Sequence, residues 1–95
     1  MAAYLVFART NTKSPAEMQT YAEKVGASVA GHSFVPLVRY GDYEVLEGDS
    51  IEGGVILKFD SMDAARAWYH SPAYQEAAKH RHAGADYHVV LFEGA

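Results

Sequence analysis

Two short runs near opposite ends of the chain, AYLVFAR at 3–9 and YHVVLF at 87–92, are apolar at odd and even positions alike. Side chains of a strand alternate between the two faces of its sheet. Leu5, Phe7, Val89 and Leu91 therefore fall on one face, and Tyr4, Val6, Val90 and Phe92 on the other. A sheet built from such strands needs cover on both sides, and the first of them belongs at its centre. The rest of the chain must supply that cover or leave it to another molecule.

Helices can account for one side. Ser14-Pro15-Ala16-Glu17 is a capping box with proline at the first helical position. Met18, Tyr21, Ala22, Val25 and Val29 then recur at helical spacing, and Gly31 follows as a terminator. Val55 to Phe59 is a short apolar run that reads as a buried strand and feeds Ser61, an N-cap with Asp63 in the following turn. Ser71-Pro72 interrupts that helix and starts another, which Gly84-Ala85-Asp86 ends. The order strand, helix, two strands, paired helices, strand is the split βαβ pattern, which predicts an α+β, ferredoxin-like βαββαβ protomer with an antiparallel sheet, as a single domain over residues 1–95. Its helices cover one face only. A second copy of the chain is the simplest cover for the other, so a homodimer is expected, two sheets face to face in a dimeric α+β barrel.

The second strand reads as half of a hairpin. Gly41-Asp42 suits a two-residue turn and would set Tyr40 opposite Tyr43, Arg39 opposite Glu44, Val38 opposite Val45 and Leu37 opposite Leu46. In that register Arg39 pairs with Glu44, unless the hairpin arches over a pocket and frees it for a ligand. Pro36 cannot donate to a ladder, which places this strand at an edge or kinks it.

The densest chemistry lies in FDSMDAARAWYHSPAYQEAAKHR at 59–81, which holds the only Trp. Met62, Ala65 and Tyr69 share a helical face with Ala64 and Trp68 beside them, and Tyr74, Ala77 and Ala78 share the next helix's face. Arg81 falls on that same apolar face. Either it snorkels or pairs with a structural carboxylate, or it anchors an anionic or carbonyl-bearing ligand beside Trp68 and Tyr74.

Composition narrows the partners. Twelve acidic against eight basic residues give a net charge of −4, with no basic run for a nucleic acid or a membrane surface to use. With no Cys, thiolate metal sites, disulfides and a Cys nucleophile are excluded, and a cytoplasmic setting fits. The apolar opening lacks a basic leader and is too short to span a bilayer. His80 and His82 are two apart on a helix, unlike the i, i+4 pairs that bind zinc, so no metal is expected. Neither a nucleophile elbow nor a phosphate or dinucleotide loop occurs, so hydrolase-elbow and nucleotide readings fall and no cofactor is expected.

YEVLEGD at 43–49, VILKFDSMDAARAWYHSPAYQ at 55–75, a lone Arg81 and a final strand ending in Gly94 together resemble the family called domain of unknown function 1330, within the dimeric α+β barrel superfamily. The most specific part of the resemblance is carried by Ala65, Arg66, Ala67, Trp68, Tyr69, Ser71, Pro72, Tyr74 and Gln75. It implies a ferredoxin-like protomer in a dimer, and it brings no established reaction. Broader relatives include cofactor-independent monooxygenases and lactone isomerases of small, often aromatic, molecules. The chain departs from the family pattern in three places: Ser33-Phe34 replaces a Gly-Gly pair, Ser14 an Asp, and Asp60 a proline.

Two functions are consistent with these residues. One is a small-molecule enzyme working without a cofactor on an aromatic or carbonyl-bearing substrate. There Trp68, Tyr69 and Tyr74 shape the pocket, and Arg39, Arg81, Glu47 or His32, at a helix-to-strand junction where a general base could reach a pocket, supplies polar chemistry. The other is a non-catalytic ligand-binding or oligomeric interaction module in which the same residues are packing and ion pairs.

Overall fold

In the computed structural model, which describes residues 1–95, strand β1 (Ala3–Thr12) is flanked on both sides. The other strands are β2 (Phe34–Arg39), β3 (Gly53–Phe59) and β4 (Ala85–Glu93), all antiparallel to their neighbours in the order β2-β3-β1-β4. Leu5 lies opposite Leu57 on one side and Leu91 on the other, and Phe7 opposite Val55 and Val89. The two strands apolar on both faces are thus central β1 and β4, the latter an edge. Helices α1 (Pro15–Val25), α2 (Met62–Tyr69) and α3 (Pro72–Gly84) all lie on the face that carries Leu5, Phe7, Leu57 and Phe59, and this is the α+β ferredoxin-like arrangement.

Each helix starts where its cap dictates. Ser14, Ser61 and Ser71 are N-caps whose hydroxyls accept from the backbone N–H of Glu17, Ala64 and Tyr74. The reciprocal half of the capping box at α1 is not made, because the Glu17 carboxylate lies 2.7 Å from His80 Nδ1 on α3 and joins the two helices instead. Ser71 also donates to the Trp68 carbonyl at 2.7 Å, which locks the turn from α2 into α3. At the α1–α3 crossing a Cβ on Gly84 would meet Met18 at 2.9 Å, so glycine lets the helices approach there. Val25 passes into a 3-10 turn (Gly26–Val29), and Gly31 follows at φ 82°.

The hairpin across Gly41-Asp42 does not form. β2 pairs along β3, with Phe34 opposite Phe59 and Arg39 opposite Val55, and residues 40–52 join no ladder. Two strands projecting alone would have been marginal, whereas pairing with β3 stacks Phe34 on Phe59 and Trp68 at 4.9 and 5.2 Å between ring centroids. Tyr40 turns the chain out of the sheet at φ 53°, held by its N–H to the Gly54 carbonyl. Arg39 therefore has no Glu44 partner. Pro36 sits on an edge strand, and the ladder slips between Pro36 and Val38, so both of its expected effects occur.

The other face of the sheet has no helix. Val35, Leu37, Val38, Val90 and Phe92 are exposed there, with Tyr4, Val6 and Ile56 half-buried between them. No helix is long and apolar enough to cross a membrane.

Candidate functional site

The first strand and the first helix do not close on one another. α1 packs mainly on α3 and contributes no fully buried residue, so a cavity of about 560 Å³ remains between α1 with its 3-10 turn and the inner face of β1, β3 and β2. That volume lies within the range of small-molecule sites. Its wall is mostly apolar and aromatic, with Phe7, Phe34 and Trp68 on the floor, Val25 and Val29 overhead, and Tyr21, Tyr40 and Tyr87 around the side.

Trp68 is the fixed point. It is 1% exposed, and its Nε1 donates to Ser28 Oγ at 3.2 Å while Ser28 donates to the Val25 carbonyl at 2.6 Å. A buried indole N–H needs such a partner. Helix α2 and the end of α1 are thereby tied across the cavity. Tyr74 stacks behind the indole, 4.2 Å between centroids.

The two charged residues on the wall are both arginines, Arg9 and Arg39. Arg9 follows Leu5 and Phe7 in the inward alternation of β1. Its guanidinium lies 4.9 Å from the Tyr40 ring centroid and donates from Nη2 to the Glu52 carbonyl at 3.3 Å. Nε is 3.4 Å from Glu52 Oε1, close enough for an ion pair but without hydrogen-bond geometry. Tyr40 and Tyr87 share a hydrogen bond of 2.5 Å between their hydroxyls. Burial, followed by the bond to Tyr40, pushes the Tyr87 phenol well above its ordinary value, so it is neutral at pH 7.

Arg81 lies one layer deeper, 3% exposed, and no carboxylate meets it. Its guanidinium is 5.1 Å from the Tyr87 ring and 5.7 Å from that of Phe7, and Nη2 donates to the Tyr69 hydroxyl at a long 3.5 Å. The structural carboxylate partner is absent, and aromatic faces and phenol oxygens stand in for it. Burial works against the charge, but the phenols of Tyr74 and Tyr21 outweigh it and the net shift is upward. Tyr21 and Tyr74 share a 2.9 Å hydrogen bond, and burial raises the pKa of each.

The residues singled out from sequence thus separate. Trp68 and Arg39 meet at the large cavity. Tyr69, one step and about a quarter turn round α2, lines instead a second cavity of about 330 Å³ with Met62, His70 and Leu91. Tyr74 is sealed in the core, and Arg81 stands behind Phe7 and Tyr87. His32 is half-buried just before β2 and lines neither cavity, and Glu47 is exposed in the irregular segment between β2 and β3. Arg9, Tyr21, Tyr40 and Tyr87 enter the site without having been singled out. For Arg9 and Tyr87 the signal was present, since period two carries the inward face from Phe7 to Arg9 and from Val89 to Tyr87.

This arrangement can hold a planar apolar molecule and stabilise negative charge with guanidinium groups and a phenol O–H. It offers no Asp, Glu or His on the cavity wall to take a proton, and nowhere are three His, Asp or Glu side chains grouped to hold a metal ion.

Comparison with known proteins agrees with the architecture. Residues 2–95 match the model of the family described as Domain of unknown function (DUF1330). Among solved structures, the chain is similar to the RPA0582 protein of unknown function from Rhodopseudomonas palustris, at 19% identity and TM-score 0.72, covering 99% of this chain and 82% of that one. A dimeric ferredoxin-like protein of unknown function from Jannaschia sp. CCS1 is similar at 19% identity and TM-score 0.67, covering 99% and 100%. SnoaB, a cofactor-independent oxygenase from Streptomyces nogalater, is similar at 21% identity and TM-score 0.67, covering 99% and 93%. At these identities the likeness is one of fold. No curated protein matches the chain.

Proposed function

The chain belongs to the family described as Domain of unknown function (DUF1330), and from that premise we propose that it is a small-molecule-binding protein whose large cavity takes an aromatic or carbonyl-bearing ligand and acts on it without a cofactor, in the manner of an oxygenase or isomerase. The observation that carries this reading is the cavity of about 560 Å³ with Trp68 and Phe34 as its floor and arginines as its only charged wall groups. Fold-level likeness to a cofactor-independent oxygenase supports it but supplies no residue roles. In this reading the protein works in the cytoplasm as a homodimer, the bare face with Val35, Leu37, Val90 and Phe92 packing on its counterpart in a second copy. Three solved structures of similar fold are described as dimeric. Light scattering after size exclusion should give twice the monomer mass.

A second reading, a non-catalytic binding module, is favoured by one observation: the wall lacks a carboxylate or imidazole to act as general base. Trp68 is the chain's only tryptophan and lines the site, so its emission reports occupancy directly. Titration with small phenols and lactones should change that emission saturably, and oxygen uptake or isomerisation of the bound compound separates the enzyme from the module. An indole whose emission is indifferent to every such compound would remove the cavity from consideration under both readings.

A further inference from the structure

The charge on the cavity wall is one-sided. In a protein of net charge −4, the wall carries Arg9 and Arg39 and not one acidic side chain. Arg39 is exposed and makes no ion pair. Arg9 is held in place by Tyr40, the Glu52 carbonyl and an ion pair at 3.4 Å with Glu52 Oε1, yet its buried Nε makes no hydrogen bond, and Glu52 Oε1 already accepts from Thr12 at 2.6 Å. Unused buried donors are rare and call for an explanation.

Sheet register puts the two arginines on either side of β3. Arg39 lies opposite Val55 on β2, and Arg9 lies opposite Gly53 on β1. Gly53 has no side chain, and the Tyr40 ring occupies the space above it, so that a Cβ there would sit 2.9 Å from Tyr40 Cδ1. Of the bonded Tyr40 and Tyr87 hydroxyls one donates to the other, so the acceptor keeps its own proton free to donate. The unpaired Arg39, the Glu52-paired Arg9 and one free O–H therefore line a cavity whose remainder is mostly apolar.

We propose that this cavity selects aromatic anions, with the ring on Trp68 and Phe34 and the acid group, a carboxylate or an ionised enol or phenol, held between Arg9 and Arg39. The inference rests on the small-molecule reading above and narrows it from aromatic molecules in general to those bearing a negative charge. Guanidinium suits the task, since it is always ionised and presents paired N–H donors to a planar oxyanion. The arrangement is also the one needed to stabilise an enolate formed from a bound carbonyl compound.

Calorimetric titration of the parent protein with 2-naphthoate and with its neutral isostere 2-naphthamide tests the proposal. A hydrogen bond to a charged group contributes about 1.5–3 kcal/mol, so the carboxylate should bind roughly 10- to 100-fold more tightly than the amide. Arg39→Gln should remove most of that preference, weakening the carboxylate far more than the amide. Because Arg39 is exposed and unpaired, this variant should fold like the parent. Arg9→Gln should act in the same direction, and Arg9→Lys should keep part of the preference. Equal binding of the two compounds would overturn the charge selection while leaving the small-molecule reading intact. A preference that survives both arginine variants would overturn the assignment to Arg9 and Arg39. If neither compound binds, the proposal and the reading beneath it fall together.

Discussion

The two halves of the helix layer treat the same sheet differently. Beneath α3 and the inner side of α2 the structure is filled, with Ala65, Trp68, Tyr74, Ala77 and Ala78 at most 1% exposed. Beneath α1 it is hollow, and none of Met18, Tyr21 or Val25 is fully buried although they repeat at helical spacing just as clearly. Small residues explain the filled half, since alanines let α3 sit close while the aromatics of neighbouring elements interlock around them. α1 is instead tethered at its ends, through Glu17 to His80 at one and through Ser28 to Trp68 at the other. It spans a gap that its own side chains line but do not fill. An apolar helix face is therefore a demand for cover, and a ligand can answer it as well as a sheet can.

The sharpest way to break this contrast is to truncate one apolar side chain in each half. Trp68→Ala removes the indole that anchors the filled half, and a buried aromatic cut to Ala costs about 3–5 kcal/mol. In a domain of this size the melting temperature should fall by well over about 10 °C. Val29→Ala, on the roof of the cavity and already 36% exposed, should cost about 0.5 kcal/mol or less. Comparable melting losses in the two variants would mean that the region under α1 is packed in solution and no cavity exists.

Arg81→Met probes the boundary between the halves. Had the guanidinium been paired with a buried carboxylate, its loss would cost about 3–5 kcal/mol by stranding the partner. The aromatic faces of Phe7 and Tyr87 strand nothing. Each such contact contributes about 0.5–2 kcal/mol, the methionine relieves the desolvation of a charge, and much of the stem's packing survives. Urea unfolding should therefore show a loss below about 2 kcal/mol, and a larger one would point to a carboxylate reaching Arg81 in solution.

How far these features could be read from sequence follows the range of the interactions involved. Helix starts at Ser14, Ser61 and Ser71 depend on the next three residues, and the inward face of β1 on a period of two, so both were legible. Arg81 was placed on the buried side correctly by counting along α3. The hairpin failed because Gly41-Asp42 is a sound local turn signal, while the competing pairing of β2 with β3 draws its advantage from Phe59 and Trp68, which are distant in sequence. The site failed in the same way. Tyr40 reaches Tyr87 and Arg9 only because the chain leaves the sheet at φ 53°, and adjacent Trp68 and Tyr69 face different cavities because helix rotation divides them.

A subtler effect lies where the halves touch, at the hydrogen bond between Tyr21 on the cavity wall and Tyr74 in the core. At neutral pH Tyr74→Phe keeps the ring packing and loses one hydrogen bond, about 1 kcal/mol. Its distinguishing feature is the pH dependence. Burial raises both phenols above their unfolded value of about 10, so the folded state retains protons that the unfolded state releases. Stability is then fully present below about pH 10 and declines as pH rises, because the unfolded chain binds fewer protons than the folded one. Each such phenol contributes a slope of up to about 1.4 kcal/mol per pH unit between its unfolded and folded values. Tyr74→Phe removes one of them, so denaturation curves from pH 9 to 11.5 should fall less steeply in the variant, and its deficit at pH 7 should shrink as pH rises. Parallel curves would show that Tyr74 ionises in the folded state as readily as in the unfolded one. The wall between core and cavity would then be open to water.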